Sequence, residues 1–284
     1  MNPLYAVVLG VIQGLTEFLP ISSTAHLTIS GKLLGLMDAE HPEAWTAFIA
    51  VMQLGTLAAV IAYFFRDVIA MVQSLVSDVR SEGLLRRVKV YSPMSRLALA
   101  VVAGTVPVAV LGLWLHKLIE GSLTKSTSVI IVSLVVLAIL LWIAERAARH
   151  LKTIEQINIK DALIIGFAQA LALVPGSSRS GTTITAGLFL GLTRHAAARF
   201  SFLLSIPAVL ASGVYEMTKI DSHVFALGIG NLIVATVFAA VSGYAAIHWL
   251  LRYLQSKTTL VFVWYRVGLG LLMVVLLLAG LLQP

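Results

Sequence analysis

The sequence contains no cysteine and very little charge, since only 12% of its 284 residues are Asp, Glu, Lys or Arg. Without cysteine there can be no disulfide, no thiolate metal site and no cysteine nucleophile. A soluble domain carries charge on about a quarter of its residues, whereas this chain is 59% hydrophobic with a mean hydropathy of +0.96. That much apolar sequence exceeds what one water-soluble core can bury, so we expect lipid to be its main solvent.

Three common catalytic patterns are also absent: a P-loop, HExxH and GxSxG. Nucleotide hydrolysis, zinc proteolysis and lipase chemistry therefore have no support. The net charge of +7 would suit a nucleic-acid binder. However, the basic residues lie in short loops between apolar runs, which is the usual topology signal of a membrane protein. We expect a lipid bilayer as partner and no nucleic acid.

Apolar stretches dominate the chain, and about 20 residues suffice to cross a bilayer. Six are long enough: roughly 43–65, 97–119, 126–144, 200–217, 224–250 and 259–282. Two more, 3–36 and 161–192, are broken by polar tips at 20–24 and 175–181. Polar backbone at membrane depth is tolerated only inside protein or beside a wet cavity. These two regions are predicted to be re-entrant helical hairpins, the alternatives being two short core helices or one kinked crossing.

Basic residues orient the predicted crossings. One face holds Arg66, Arg80, Arg86, Arg87, Lys89, Arg96, Arg146, Arg149, Lys152, Lys160, Arg194, Arg199, Arg252 and Lys257. The other face holds only Lys117, Lys125 and Lys219. The positive-inside rule makes the richer face cytoplasmic, so that both termini and the mouth of the first hairpin face outward. Residues 67–80 are predicted to be an interfacial helix.

The two broken regions resemble each other. Gly10 pairs with Gly166, Gln13 with Gln169, Pro20 with Pro175, and Ser22-Ser23 with Ser177-Ser178. Three predicted crossings follow each copy, and an odd number inverts the second copy. The predicted fold is therefore an all-α polytopic membrane domain over 1–284, made of two inverted repeats at about 1–145 and 146–284. In such repeats the broken helices place a binding site near the midplane.

The first tip carries a carboxylate and an imidazole. Gln13 and Glu17 lie four residues apart and share a helix face. Ser22 or Ser23 would cap the next helix, with His26 one turn further on. Ionisable groups within apolar membrane segments are costly and usually functional. Glu17 is predicted to bind a hard divalent cation, Mg²⁺ or Ca²⁺, through oxygen.

The second tip carries a guanidinium and backbone N–H groups. Gly176, Gly181 and the serines precede a helix, and helix N-termini bind phosphate well. Arg179 adds a planar fork suited to phosphate oxygens. The expected substrate-binding residues of the two tips are Gln13, Ser22, Thr24, Ser177, Ser178, Ser180 and Gly181. Together the tips predict a site for a polyanion with a reactive phosphorus.

At the segments QGLTEFLPISSTAH (13–26) and PGSSRSG (175–181), the sequence resembles the undecaprenyl-pyrophosphate phosphatase family, associated with bacitracin resistance. The resemblance extends over nearly the whole chain in segment order. It implies that the family's (Glu/Gln)-x-x-x-Glu motif falls on Gln13 and Glu17, and that its catalytic serine, histidine and phosphate-binding arginine fall on Ser23, His26 and Arg179. Gln13 in place of Glu leaves one carboxylate fewer, so the number of metal ions stays open.

The resemblance further implies a bacterial inner-membrane phosphatase whose site opens to the periplasm. Its reaction would be metal-dependent hydrolysis of undecaprenyl diphosphate to the monophosphate, recycling the lipid carrier of peptidoglycan synthesis. The oligomeric state is left open, with a homodimer as one option. The main rival is a transporter or flippase of a phosphorylated anion, because inverted repeats with broken helices typify secondary transporters. Arg266 is a further intramembrane charge, which could contact the substrate or pair with a carboxylate such as Glu216. We expect it to be structural or to support the site.

Overall fold

A computed structural model of the chain describes residues 2–37, 42–82, 91–115, 126–217 and 228–282. The described residues form helices joined by short turns, with no β-strand among them. In chain order the α-helices are α1 Pro3–Phe18, α2 Ser23–Leu33, α3 Pro42–Tyr63, α4 Phe65–Glu82, α5 Pro93–Trp114, α6 Thr127–Ala147, α7 Ile159–Ala170, α8 Arg179–Phe189, α9 Arg194–Met217, α10 Ile229–Tyr253 and α11 Leu260–Leu278. The all-α prediction is confirmed.

Six of these helices are long and apolar enough to cross a membrane, as predicted. The candidate spans are Trp45–Tyr63, Pro93–Trp114, Thr127–Ala147, Arg194–Tyr215, Ile229–Tyr253 and Leu260–Leu278. The fourth span begins six residues before its predicted start, because helical geometry carries α9 past its apolar stretch into a charged turn at Arg194. The helix predicted over 67–80 is present as α4; its interfacial position stays a prediction.

Some of the residues used for orientation have no described structure. Arg86, Arg87, Lys89, Lys117, Lys125 and Lys219 lie outside the described residues, as does the side chain of Glu216. At one end of the bundle, Arg194 forms an ion pair with Glu145, and Lys152 forms one with Asp161. The first pair ties the start of α9 to the end of α6, and the second ties the segment between α6 and α7 to the first turn of α7.

Each broken region folds as two short helices, α1 with α2 and α7 with α8. The first break leaves helical geometry at Leu19, and the second does so at Val174, after a 3-10 turn over Leu171–Leu173. Both second helices begin at a serine in the left-handed region, Ser22 with φ 75° and Ser178 with φ 66°. Each of these serines accepts a hydrogen bond from the backbone N–H three residues later. A non-glycine residue held at positive φ costs about 1–3 kcal/mol, and such strain tends to occur at functional sites.

These caps favour a pairing of the two tips that differs from the sequence alignment. If Ser22 corresponds to Ser178, then Ser23 corresponds to Arg179, one residue further along than the alignment of Ser22-Ser23 with Ser177-Ser178. The reason is that Ser22 and Ser178 share the same N-cap conformation, which the amino-acid sequence does not reveal. On this pairing the polar residue of each first turn is a hydroxyl in one tip and a guanidinium in the other.

The first helix of each broken region packs against a helix of the other half. α1 runs along α10, and α7 runs along α5. Glycine permits both contacts: a Cβ on Gly10 would lie 2.3 Å from the carbonyl oxygen of Ala235, and one on Gly166 would lie 2.2 Å from that of Gly104. These exchanged contacts bring the two polar tips together in the interior of the bundle.

Candidate active site

The carboxylate of Glu17 is the point at which the two tips meet. Its Oε1 accepts a hydrogen bond from Nη2 of Arg179 at 3.0 Å, which also makes an ion pair. Its Oε2 accepts from the hydroxyl of Ser23 at 2.9 Å and from the amide of Gln13 at 3.2 Å. Glu17 is only 8% exposed. Residues from both halves of the chain therefore share one buried carboxylate.

Arg179 has spare binding capacity in this arrangement. Its Nη1 is buried and has no hydrogen-bond partner among the described residues. A guanidinium half engaged by Glu17 and half unpaired can bind an incoming oxyanion with its remaining N–H groups. The Oε1 of Gln13 is also buried without a partner among the described residues, and as an acceptor it can bind an N–H or O–H group or a cation.

A cavity of about 430 Å³ adjoins these groups. Its lining includes five of the predicted site residues: Glu17, Ser23, Thr24, Ser178 and Arg179. Thr24 is exposed, and Ser23 and Ser178 are half-buried. These residues are therefore the ones that a ligand in the cavity would reach first.

The remaining predicted residues contact the protein itself. Ser22 is buried and caps α2. The hydroxyl of Ser180 donates to the carbonyl oxygen of Leu19 at 3.0 Å and so joins the two tips. The backbone N–H of Gly181 donates to the hydroxyl of Ser178. These contacts shape the tips, so a substrate would not find these groups free as the sequence reasoning expected.

His26 lies one helical turn from Ser23, as predicted, but its hydrogen bonds go elsewhere. Its Nδ1 donates to the carbonyl oxygen of Ser22 at 2.7 Å, which leaves Nε2 to accept from the hydroxyl of Tyr265 at 2.7 Å. The two rings stack with their centroids 5.6 Å apart. Within the described residues, the group that accepts the hydrogen bond of Ser23 is Glu17. Sequence reasoning missed Tyr265, although it stands next to Arg266 in the same apolar segment.

Arg266 is fully buried and forms hydrogen bonds with both tips. Its guanidinium donates to the carbonyl oxygens of Pro20 in the first tip and of Gly176 and Ser177 in the second, at 3.1–3.4 Å. It also donates to two carbonyl oxygens of α6, those of Ser133 and Leu134. Among the described residues, the partners of Arg266 are therefore five backbone carbonyls and no carboxylate. Arg266 thus has the expected structural role.

The hydrogen bonds of Arg266 to the two tips, here called the Arg266 clamp, explain why residue 181 is a glycine. A Cβ at this position would lie 2.7 Å from Nη1 of Arg266. Ser177 is buried as well, and its carbonyl oxygen takes two of the guanidinium's hydrogen bonds. Both residues were predicted to bind substrate; in the structure they accommodate and bind Arg266.

Gln169 is a second residue that sequence reasoning did not assign to the site. It lines the cavity and is 1% exposed, and neither its amide nitrogen nor its amide oxygen has a hydrogen-bond partner among the described residues. Burying an unpaired amide is costly unless a ligand or water completes it. Its alignment with Gln13 was the signal that could have identified it.

A hard divalent cation at this site would have one carboxylate, that of Glu17, as a ligand. Within the described residues there is no group of three or more His, Cys, Asp or Glu side chains that could hold a metal. Mg²⁺, however, commonly binds through one or two carboxylates and keeps the rest of its ligands as water and substrate phosphate. Glu17, with the unpaired Oε1 of Gln13 beside it, offers such a partial ligand set.

Fold and site together define a multi-pass, all-helical membrane protein with a buried acid–guanidinium pair beside a cavity. Residues 6–272 match the model of the family described as bacitracin resistance protein BacA. Because the match covers nearly the whole chain, the protein belongs to that family. The resemblance seen in the two polar motifs is therefore confirmed.

Relatives that bear an enzyme name align over nearly their whole length. The chain is 56% identical over 272 residues to an undecaprenyl-diphosphatase of Syntrophobacter fumaroxidans, which covers 95% of each protein. It is 50% identical over 284 residues to an undecaprenyl-diphosphatase of Myxococcus xanthus, covering 100% of this chain and 92% of that one. It is 49% identical over 292 residues to one from Chloroherpeton thalassium, covering 100% and 99%.

Proposed function

We propose that this protein is an undecaprenyl-diphosphatase, which hydrolyses undecaprenyl diphosphate to undecaprenyl phosphate and inorganic phosphate. The observation that carries the proposal is the contact between Glu17 and Arg179, which places an acid and a phosphate-binding cation at one cavity. Relatives bearing that enzyme name align over at least 95% of the chain. The rival reading, a transporter or flippase, is not favoured by these relatives. The expected consequence for the cell is recycling of the peptidoglycan lipid carrier and resistance to bacitracin.

The geometry supports a direct attack on the terminal phosphorus. The hydroxyl of Ser23 already donates to Glu17 at 2.9 Å, so this carboxylate can take its proton as the oxygen bonds to the terminal phosphorus and undecaprenyl phosphate leaves. Water would then cleave the serine phosphate and release inorganic phosphate. Arg179 offers its unpaired Nη1 to the phosphoryl oxygens. Charge neutralisation and alignment are what phosphoryl transfer chiefly requires. In this arrangement Nδ1 of His26 holds the first turn of α2 through the Ser22 carbonyl. Any proton that His26 transfers through its Nε2 would pass through the hydroxyl of Tyr265.

Glu17 and Gln13 are the residues that would hold the predicted Mg²⁺ or Ca²⁺. A divalent cation there would offset the negative charge that develops on the diphosphate oxygens. Gln13 contributes no charge, so the site's own carboxylate charge comes from Glu17 and its cationic charge from Arg179. The cation requirement is a proposal that chelation can test.

An apolar groove next to the second tip suits the prenyl chain. Val174 lines both the active-site cavity and a groove of about 400 Å³, whose walls come from α6 and from residues 171–177. A prenyl chain lying there would stay in contact with lipid, so the enzyme would not need to extract it. The groove thus connects the polar site with the hydrocarbon phase.

The repeat and the orientation belong to the same proposal. The exchanged packing of α1 on α10 and of α7 on α5 supports two inverted repeats with re-entrant tips. We propose an inner-membrane location with the site opening to the periplasm. Because the chain lacks cysteine, single-cysteine labelling tests this cleanly. In intact cells, Met37→Cys should react with an impermeant maleimide and Ser256→Cys should not; the reverse pattern would invert the orientation.

A phosphate-release assay on purified protein tests the enzyme assignment. Detergent-solubilised protein should release phosphate from C15 and C55 prenyl diphosphates, and EDTA should abolish the release. Arg179→Gln should lower the rate by about a hundredfold or more, the scale of losing one preorganised charge-stabilising donor. The matched control is Arg146→Gln, a guanidinium that rests on the Trp142 ring at 5.9 Å, away from the site. A transporter would release no phosphate in detergent, and that result would refute the proposal.

A further inference from the structure

A second polar cavity lies at the other end of the helix pair α3 and α9. Its volume is about 350 Å³. The side chains that give it polar character are Tyr63, Asp67, His195, Arg199, His248, Arg252 and Gln255. None of them belongs to the tips, and the mechanism proposed above uses none of them.

The two cavities are well separated along the same helices. On α3, Thr46 and Gln53 line the active-site cavity and Tyr63 lines the second one. At 1.5 Å per helical residue these positions are roughly 15–25 Å apart. Three aromatic rings fill the space between: Phe18 packs edge-on against Phe202 at 5.4 Å, and Phe202 lies 6.4 Å from Phe64. The cavities are therefore distinct sites divided by packed apolar side chains.

Positive charge prevails in the second cavity. Among the lining residues, Arg199 and Arg252 oppose the single carboxylate of Asp67, which leaves a net charge of +1 with both histidines counted as neutral. Glu155 also feels the charge of Arg199, but it lies outside the lining residues. The two imidazoles, of His195 and His248, can each donate an N–H to an oxyanion.

Some donor groups in the second cavity have no hydrogen-bond partner among the described residues. Nη2 of Arg199 donates to Asp67 at 2.6 Å, whereas its Nε is buried without a partner among the described residues. Arg252 is exposed to the cavity mouth. Among the described residues, the hydrogen-bond partner of His248 is the Tyr63 hydroxyl, at a long 3.5 Å. An unsatisfied buried guanidinium N–H calls for an acceptor.

We propose that this cavity binds a phosphate group, carried either by a phosphorylated lipid or by free inorganic phosphate. Arg252 presents an exposed planar fork that matches phosphate oxygens, and Arg199, ion-paired with Asp67, adds the N–H of its unpaired Nε. Charge-assisted bonds of this kind are about twice as strong as neutral ones. A cavity of about 350 Å³ accommodates a phosphate head with its first waters. The site adds a second phosphate-binding position to the chain, beyond the one at which hydrolysis is proposed.

Counting bound phosphate tests the proposal. Full-length protein in detergent is titrated with radiolabelled inorganic phosphate and, separately, with farnesyl monophosphate. Wild type should bind two equivalents of at least one ligand. Arg252→Gln should weaken one of the two binding events by at least about tenfold, the equivalent of one charge-assisted bond. Arg146→Gln, at the same end of the bundle but outside the cavity, should retain both.

The outcomes separate the two sites and the two sources. If Arg252→Gln, folded by its thermal-unfolding midpoint, binds both equivalents as tightly as wild type, the second site is refuted. Loss of inorganic phosphate binding assigns it to free phosphate; loss confined to farnesyl monophosphate assigns it to a lipid head. Arg179→Gln should lose the other equivalent. If Arg179→Gln retained both, the active-site assignment would fail while the second site stood on its own result.

Discussion

Replacing Arg266 with lysine tests whether one guanidinium sets the position of both tips. The guanidinium reaches five carbonyl oxygens, three of which belong to the tips at Pro20, Gly176 and Ser177. An ammonium keeps the charge but has three donors on one atom and cannot reproduce the fork. If it holds one tip carbonyl, two are left buried and unpaired. At about 1–3 kcal/mol each, the loss of stability is about 2–6 kcal/mol.

The same change should slow the reaction, because the tips carry Glu17, Ser23 and Arg179. A displacement of about 1 Å can cost a hundredfold in rate. We expect Arg266→Lys to lower kcat/KM for C15 diphosphate by about ten- to a hundredfold and to lower the thermal-unfolding midpoint. Arg146→Lys, exposed at the end of α6, is the control and should change neither value.

Two results would contradict the reasoning in different ways. An unchanged midpoint would mean that the carbonyls do not depend on Arg266. A lowered midpoint with unchanged kcat/KM would mean that the clamp supports the fold without positioning the reacting groups. Only a joint loss agrees with the contacts observed.

Three further substitutions follow from the contacts. Gly10→Ala places a Cβ 2.3 Å from the Ala235 carbonyl oxygen and should destabilise the protein by about 1–3 kcal/mol in thermal unfolding, whereas Gly268→Ala, with open space around it, should not. Gln169→Leu removes a buried unpaired amide, so we expect a higher unfolding midpoint by differential scanning fluorimetry together with lower kcat/KM; a lower midpoint would show that the amide is satisfied. His26→Ala should reduce phosphate release less than Glu17→Gln does, because Ser23 donates to Glu17; the opposite ranking would restore His26 as its proton acceptor.

The spans were predictable from sequence because lipid imposes a simple rule. A helix that crosses hydrocarbon must be apolar over about 20 residues, and hydropathy reports that directly. The positions of Glu17 and Arg179 were predictable for a related reason. Charged groups in apolar segments have few partners that they can pair with inside a membrane, so they tend to find one another.

Which polar residues of the tips line the cavity and which contact the protein could not be predicted from the sequence. Which hydroxyl faces the cavity depends on the backbone at the caps, where Ser22 and Ser178 adopt positive φ. Sequence letters carry no such information for serine, so Ser180 and Gly181 looked the same as Ser178. The structure distinguishes them: Ser180 bonds to Leu19, Gly181 leaves room for Arg266, and Ser178 lines the cavity.

Long-range contacts to the backbone were equally hidden. Arg266 binds carbonyl oxygens, which every residue possesses, so no complementary side chain marks its partners in the sequence. His26 and Tyr265 are 239 positions apart, and neither residue type is unusual in an apolar helix. Tertiary packing alone brings them together.

The claim on which the account depends is that Glu17 and Arg179, from opposite halves of the chain, act as one site on one diphosphate. A double-mutant cycle on phosphate release measures this directly, using Glu17→Gln, Arg179→Gln and the double variant. We predict that the double variant is hardly slower than the slower single variant, because groups that act as a unit are lost together. If the two losses multiplied instead, or if either single variant kept the wild-type rate, the shared site would be contradicted.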